Sequence, residues 1–171
     1  MNRADATRLV SLLEGQRWAA LATTGEAGPL ASMVAYAAIE DLGGVILHLS
    51  RLARHTGNLL ANPSASLVVS EPDPGSGDPQ TLARVTLSGP VVAVPRDDPR
   101  FGSLRGRYLA RLPSAEPLFG FEDFVLFLLR IEQAVYVGGF ARAYTLDAAG
   151  LAREVARGRS ACAGGPAETD G

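Results

Sequence analysis

The chain of 171 residues contains no lysine, one cysteine and two histidines, and these shortages narrow the classes of function open to it. A single cysteine, Cys162, excludes an internal disulfide, and a cytoplasmic location is expected. Its place in a glycine-rich tail is typical of an incidental thiol rather than of a nucleophile. His48 and His55 have no carboxylate or thiolate partners at metal-ligand spacing, so we predict no metal site.

Long apolar runs and an excess of one charge are also lacking. The formal net charge is −2, so we expect neither nucleic acid nor a membrane surface as the main partner. The most apolar stretch, FVLFLL, ends at Arg130 and is far shorter than the ~20 residues of a membrane helix. The first residues lack the pattern of a secretory signal. A hydrophobic content of 47% is instead typical of a folded domain of this length.

Short β-compatible runs separated by turns dominate the chain, and Trp18 and Phe127 are expected in its core. Apolar spacing predicts helices over 4–14, 53–62 and 97–111. Strands are predicted over 17–24, 29–39, 45–50, 64–71, 81–95, 124–139 (as strand, turn and strand) and 141–146. This pattern favours a mainly β (α+β) fold, a six- to seven-stranded antiparallel barrel with short peripheral helices. A doubly wound sheet would need G-x-G-x-x-G before a long helix, which VGGFARA does not provide.

The densest polar cluster is HLSRLARHTGN, residues 48–58. A strand delivers His48 and Ser50 to one edge, and a helix begins near Ala53. The first N–H groups of a helix have no internal partners and favour an anion, and Arg54 and His55 stand beside them. The cluster therefore predicts a phosphate site, with a solvated, serine-capped turn as the alternative.

The glycine pair Gly138-Gly139 allows two interpretations. Its backbone passes close to a ligand or to another chain, or the pair forms a simple bulge.

The order of these features resembles a known family. The segments SRLARHTGNLLANPSASLVV (50–69), RVTLSGPVVAV (84–94) and FEDFVLFLLRIEQAVYVGGFARAYTL (121–146) are similar to the pyridoxamine 5'-phosphate oxidase-like FMN-binding split barrels. The VGGFARA ending resembles the HugZ/HutZ-type haem-utilisation branch. The resemblance covers about residues 5–150 and implies a split barrel over 1–150, with a C-terminal extension over 151–171. We expect disorder in the tail from about residue 157.

The resemblance also implies a homodimer with two cofactor pockets at its interface. In this sequence the residues that match the family's cofactor contacts are Ser32, Met33, Val34, His48, Leu49, Ser50, Arg54, His55, Thr56 and Asn58. His55 replaces the lysine of the phosphate-clamping pair, and Ser32 replaces a basic residue. These departures argue against vitamin B6 oxidation. The apolar strands over 124–137 independently suggest a covered, dimeric edge.

Our leading hypothesis is an FMN-dependent oxidoreductase acting on an unidentified small molecule, with FMN supplying the redox chemistry. Catalytic residues stay unassigned, because no nucleophile has a base and a supporting acid near it in the pattern. The alternative is a haem-binding or haem-degrading protein. The haem branch usually holds its iron with a histidine near the C-terminus. This chain has none after His55, so a histidine of the pocket, His48 or His55, would have to take its place. A third hypothesis is a dimer that binds flavin or haem without catalysis.

Overall fold

Short strands and four helices alternate along the described part of the chain. The computed structural model describes residues 1–139 and 142–163. The centre of VGGFARA, the side chain of Cys162 and residues 164–171, where disorder was expected, lie outside the described residues. The helices are α1 (Arg3–Gly15), α2 (Arg54–Ala61), α3 (Phe101–Arg111) and α4 (Ala148–Ala163), with 3₁₀ segments over Pro79–Thr81 and Pro113–Gly120. The strands are β1 (Trp18–Gly25), β2 (Gly28–Ala35), β3 (Ala37–Ala38), β4 (Gly44–Ser50), β5 (Ser64–Ser70), β6 (Arg84–Val94), β7 (Phe124–Arg130), β8 (Gln133–Val137) and β9 (Ala143–Asp147).

The strands form one antiparallel sheet that curls into a split barrel, which confirms the predicted fold class. Seven strands follow the path β2-β1-β5-β6-β7-β4-β3, and β8 and β9 branch from β6. Only Tyr36 separates β2 from β3, so one chain segment forms both ends of the path. The predicted strand over 29–39 is therefore divided, and β2 and β4 face each other across the opening of the barrel.

Two apolar clusters hold the barrel together. The interior cluster is filled by alternate residues of the strands, such as Leu21, Leu67 and Leu87, and is closed by α1. The second cluster lies on the outer face of β4 and β7, where α3 and the 113–120 segment pack on Ile46 and Leu128. Each fully buried side chain of this size contributes roughly 1.5–3 kcal/mol.

The apolar character of β7 has an explanation within one chain. Five consecutive residues of β7 are buried, because β7 lies between β6 and β4 and is covered on both faces. A strand buried on both faces is expected to be continuously hydrophobic. Our interpretation of this run as a dimer edge was therefore wrong. Trp18 is also not a core residue, since 58% of its surface is exposed, whereas Phe127 is buried as predicted.

Helix α4 was not predicted, and it continues to Ala163, past the point where we expected disorder to begin. It packs against α1, and a Cβ on Gly158 would overlap the carbonyl oxygen of Ala6. Leu151 and Val155 of α4 belong to the interior cluster. The helix was missed because its many alanines and glycines are as typical of a loose tail as of a closely packed helix. No helix within residues 1–139 and 142–163 has the length and apolarity required to cross a membrane.

Candidate functional site

Three predicted site segments meet where the barrel is split. The pairing of Ala37 with Ile46 joins β3 to β4, and only Tyr36 separates β3 from β2. Strand β2 contacts both β4 and α2. We call this region, residues 32–34 and 48–58, the split edge. The structure brings these backbone segments together here, and the role of their residues in binding a cofactor stays a prediction.

Helix α2 begins at the split edge without a side-chain cap. Its N-cap residue is Ala53, whose methyl group offers no acceptor to the first amides. Thr56, in the first turn, is fully buried, and its Oγ1 has no hydrogen-bond partner in the described part of the chain. An uncapped helix start with an unpaired hydroxyl is compatible with an anionic ligand.

Two of the predicted cofactor-binding residues already have partners within the chain. The Ser50 hydroxyl donates to Oδ2 of Asp123 at 2.8 Å and accepts from the Leu52 N–H at 3.1 Å. The Asn58 amide donates to Oγ1 of Thr23 at 3.0 Å, which ties α2 to the β1–β2 hairpin. The carboxylate of Asp123 also brings negative charge beside Ser50, and this disfavours a phosphate dianion.

His48 packs against Phe119 and Tyr108 of the second apolar cluster. Its ring stacks on Phe119, with ring centroids 3.8 Å apart and planes inclined by 6°. Phe124 and Tyr108 contact the same ring, and only 7% of the residue is exposed. Burial lowers the pKa of the imidazole to about 4, and the charge of Arg96 acts in the same direction. Nδ1 is buried without a partner among the described residues.

The other buried residues of the predicted site point into the barrel. Val34 and Leu49 belong to the interior cluster, so only their backbone could contact a cofactor, as the family resemblance implies. His55 differs, because it lies partly exposed on the flank of α2. Its partial burial lowers the pKa of the imidazole, which favours the neutral ring that metals bind.

Exposed apolar side chains lie at the split edge and beside it, and of these the sequence had indicated only Met33. Leu52 is 88% exposed, Phe121 53% and Met33 49%. The Arg51 N–H donates to the carbonyl oxygen of Asp123, so the loop that carries Leu52 lies beside the segment that carries Phe121. The pairing of Ser50 with Phe124 explains this contact, and it could be found only once the β4–β7 register was known.

The glycine pair that ends β8 packs against the chain itself. A Cβ on Gly138 would approach Oδ1 of Asp5 to 2.7 Å, and Gly139 has a φ of +119°. The Gly138 carbonyl accepts from Arg8 at 3.1 Å and from Arg142 at 2.8 Å. The close approach predicted for these glycines is therefore made at Gly138 by α1 of the same chain.

Comparisons with known proteins give the same fold. A family model described as "CREG, beta-barrel" matches residues 1–152. The chain is 41% identical over 121 residues to the non-canonical heme oxygenase HOZ, chloroplastic, of Arabidopsis thaliana, covering 70% of this chain and 35% of that protein. It is 28% identical over 110 residues to heme oxygenase HutZ of Vibrio cholerae, covering 64% and 62%. A heme binding protein from Mycobacterium smegmatis has a TM-score of 0.77 at 27% identity, over 90% of this chain and 61% of that one.

These matches confirm the predicted resemblance to split barrels of the pyridoxamine-phosphate-oxidase-like fold and to the HutZ-type branch. The chain spans only about a third of the Arabidopsis protein, 35% of its length. The site residues, the homodimer and the cytoplasmic location stay predictions.

Proposed function

We propose that this chain, which belongs to the CREG β-barrel family, binds haem at its split edge and acts as a haem-degrading oxidoreductase. The observation that carries the proposal is the composition of the split edge and of the segment beside it that carries Phe121: they hold exposed apolar side chains, exposed arginines and a partly exposed imidazole. The names of the two heme oxygenases above support it. Haem binding was the alternative hypothesis from the sequence, and we now prefer it to the hypothesis of an FMN-dependent oxidoreductase.

The residues present fit the chemistry of haem, a flat apolar ring with two carboxylates and an iron. Leu52, Phe121 and Met33 expose the apolar surface that a porphyrin needs. Arg51 and Arg54 are exposed cations beside the uncapped start of α2, and both features suit carboxylates. When bound, haem supplies an iron that binds dioxygen and a ring that can be oxidised.

Binding of hemin should depend on the apolar part of the split edge. We expect the purified protein to bind hemin at micromolar concentration with a Soret band, and Leu52→Glu to weaken binding roughly tenfold, since burying a leucine is worth about 1.5–3 kcal/mol. Leu60→Glu, at an exposed leucine of α2 outside the split edge, is the matched control and should leave the affinity within about twofold. Absorbance titration measures both. Failure of the wild-type protein to bind hemin would overturn the proposal.

FMN binding, the leading hypothesis from sequence, stays a prediction. The uncapped start of α2 and the unpaired hydroxyl of Thr56 favour it, whereas the bonds of Ser50 and Asn58 count against it. The same titration with FMN in place of hemin separates the two cofactors. Uptake of FMN without uptake of hemin would restore the flavin function.

The uncovered face of the barrel supports the proposed homodimer. On β1, β2 and β5 this face consists of small or apolar side chains: Ala20, Ala22, Ala31, Met33, Ser66 and Val68. It continues onto β6 and β8 with Thr86, Ser88 and Val135. Trp18 and Met33 add exposed apolar surface on the same face. Arg84 lies at the end of this face. A second copy, presenting the same small and apolar side chains, is the partner that this surface fits.

Light scattering at micromolar concentration should therefore give the mass of a dimer. Ala22→Arg should shift the protein to the monomer, because it places a charge among the small side chains of β1, β2 and β5 on this face. Ala110→Arg, on the exposed side of α3, should leave the dimer intact. A monomeric wild-type protein would contradict the proposed assembly but not haem binding by one chain.

A further inference from the structure

We infer that His55 is the residue of this chain that binds the haem iron, and that His48 is a packing residue. The inference rests on the proposed function and names the ligand within that site. The chain contains only these two histidines, and the structure separates them by their surroundings. An imidazole nitrogen is the commonest protein ligand for haem iron and needs direct access to the metal.

His48 is excluded by the layer that covers it. Phe119 lies against one face of the ring, and the guanidinium of Arg105 is placed 5.3 Å from the centroid of Phe119. The segment that carries Phe119 is fastened by Arg96, which donates to the carbonyl oxygens of Phe119 at 2.8 Å and of Phe121 at 3.1 Å. Only 7% of His48 is exposed, so a porphyrin could reach the ring only if this segment moved.

His55 is placed where a planar ligand can reach it. Thr56 and Leu59 form the buried face of α2, with 0% and 2% of their surface exposed. His55 and Asn58 are one turn apart and share the flank beside this face. The bond from Asn58 to Thr23 shows that the flank faces the β1–β2 hairpin, and α2 also contacts β2. The imidazole therefore lies at the junction of α2 with the strands of the split edge.

The residues beside His55 suit the other parts of haem, its apolar ring and its carboxylates. Leu52, three residues earlier, is almost fully exposed and offers apolar surface. Arg54, at the first position of α2, is an exposed cation next to the uncapped amides. A histidine in this setting can bind iron while its neighbours contact the ring and a carboxylate. Of the two histidines that the sequence offers as ligands of the iron, His48 and His55, only His55 remains.

The test compares His55→Gln with His48→Leu in the full chain, using hemin as the probe. We expect His55→Gln to weaken hemin binding roughly tenfold or more and to abolish the electron paramagnetic resonance signature of an imidazole-bound ferric iron. His48→Leu should keep the wild-type spectrum. Adding free imidazole to His55→Gly should restore the wild-type Soret position, because the small molecule fills the place of the removed side chain.

The possible results distinguish an error in the assignment of His55 from an error in the proposed haem-binding function. If wild type binds hemin and only His48→Leu loses the imidazole signature, the assignment to His55 is wrong and the haem-binding function stands. The assignment is also wrong if both variants keep the signature. If wild type binds no hemin, the proposed function fails and the ligand assignment fails with it. Circular dichroism of each variant confirms that the spectra report on folded protein.

Discussion

Replacing Gly89 with alanine should lower the free energy of unfolding by about 3 kcal/mol or more, because the added methyl meets backbone that cannot move independently. A Cβ at this position would overlap the carbonyl oxygen of Arg130 and come within 3.1 Å of the amide nitrogen of Glu132. At Gly89 the long strand β6 leaves its pairing with β8 and soon joins β7. The chain between β7 and β8 crosses it there, so relief of the overlap requires this corner of the barrel to open.

Urea denaturation followed by circular dichroism measures the effect. The control is Gly106→Ala in α3, where a Cβ has no atom within 4 Å. Alanine in an exposed helix interior should stabilise the protein by about 0.5–1 kcal/mol relative to glycine. Two alanine variants of glycine should thus shift the unfolding midpoint in opposite directions. An unchanged midpoint for Gly89→Ala would show that the corner is not closely packed.

The corner at Gly89 also shows how far the fold was predictable. The alternation of apolar residues predicts β6 and its neighbours, because burial on one face leaves a period of two in the sequence. The change of β6 from pairing with β8 to pairing with β7 produces no pattern in the sequence, since pairing register depends on residues far apart in the chain. Helix α4 was missed for a related reason. Its small residues allow α1 to pack closely against Gly158, and a contact between distant segments cannot be predicted from the local sequence.

The candidate site was predictable in its location but not in its contacts. Residues 48–58 carry a local signal, a strand followed by an uncapped helix start, and the family resemblance added β2. The bond from Ser50 to Asp123 and the stacking of Phe119 on His48 each join residues about 70 positions apart. No local pattern marks such pairs. This is why two residues assigned to a cofactor from sequence, Ser50 and His48, already have partners in the chain.

The packing of His48 predicts a loss of stability in acid. The pKa of this imidazole is about 4 in the folded protein, below the 6.5 of an unperturbed histidine. Between these two values the unfolded chain binds the proton more readily, so stability present above pH 6.5 is lost as the pH falls and the loss levels off near pH 4. At about 1.4 kcal/mol per pKa unit, the loss from pH 8 to pH 4.5 amounts to roughly 2–3 kcal/mol.

His48→Leu should remove this dependence, because leucine fills a similar volume and takes up no proton. When the pH is lowered from 8 to 4.5, the variant should lose roughly 2–3 kcal/mol less unfolding free energy than the wild-type protein. Urea titrations at both pH values measure it, and carboxylates that titrate in both proteins cancel. His55→Gln should produce a smaller change of the same sign, since that ring is only partly buried. Equal changes for the two variants would mean that Phe119 does not keep His48 from water, and the separation of a packing histidine from an iron-binding one would lose its basis.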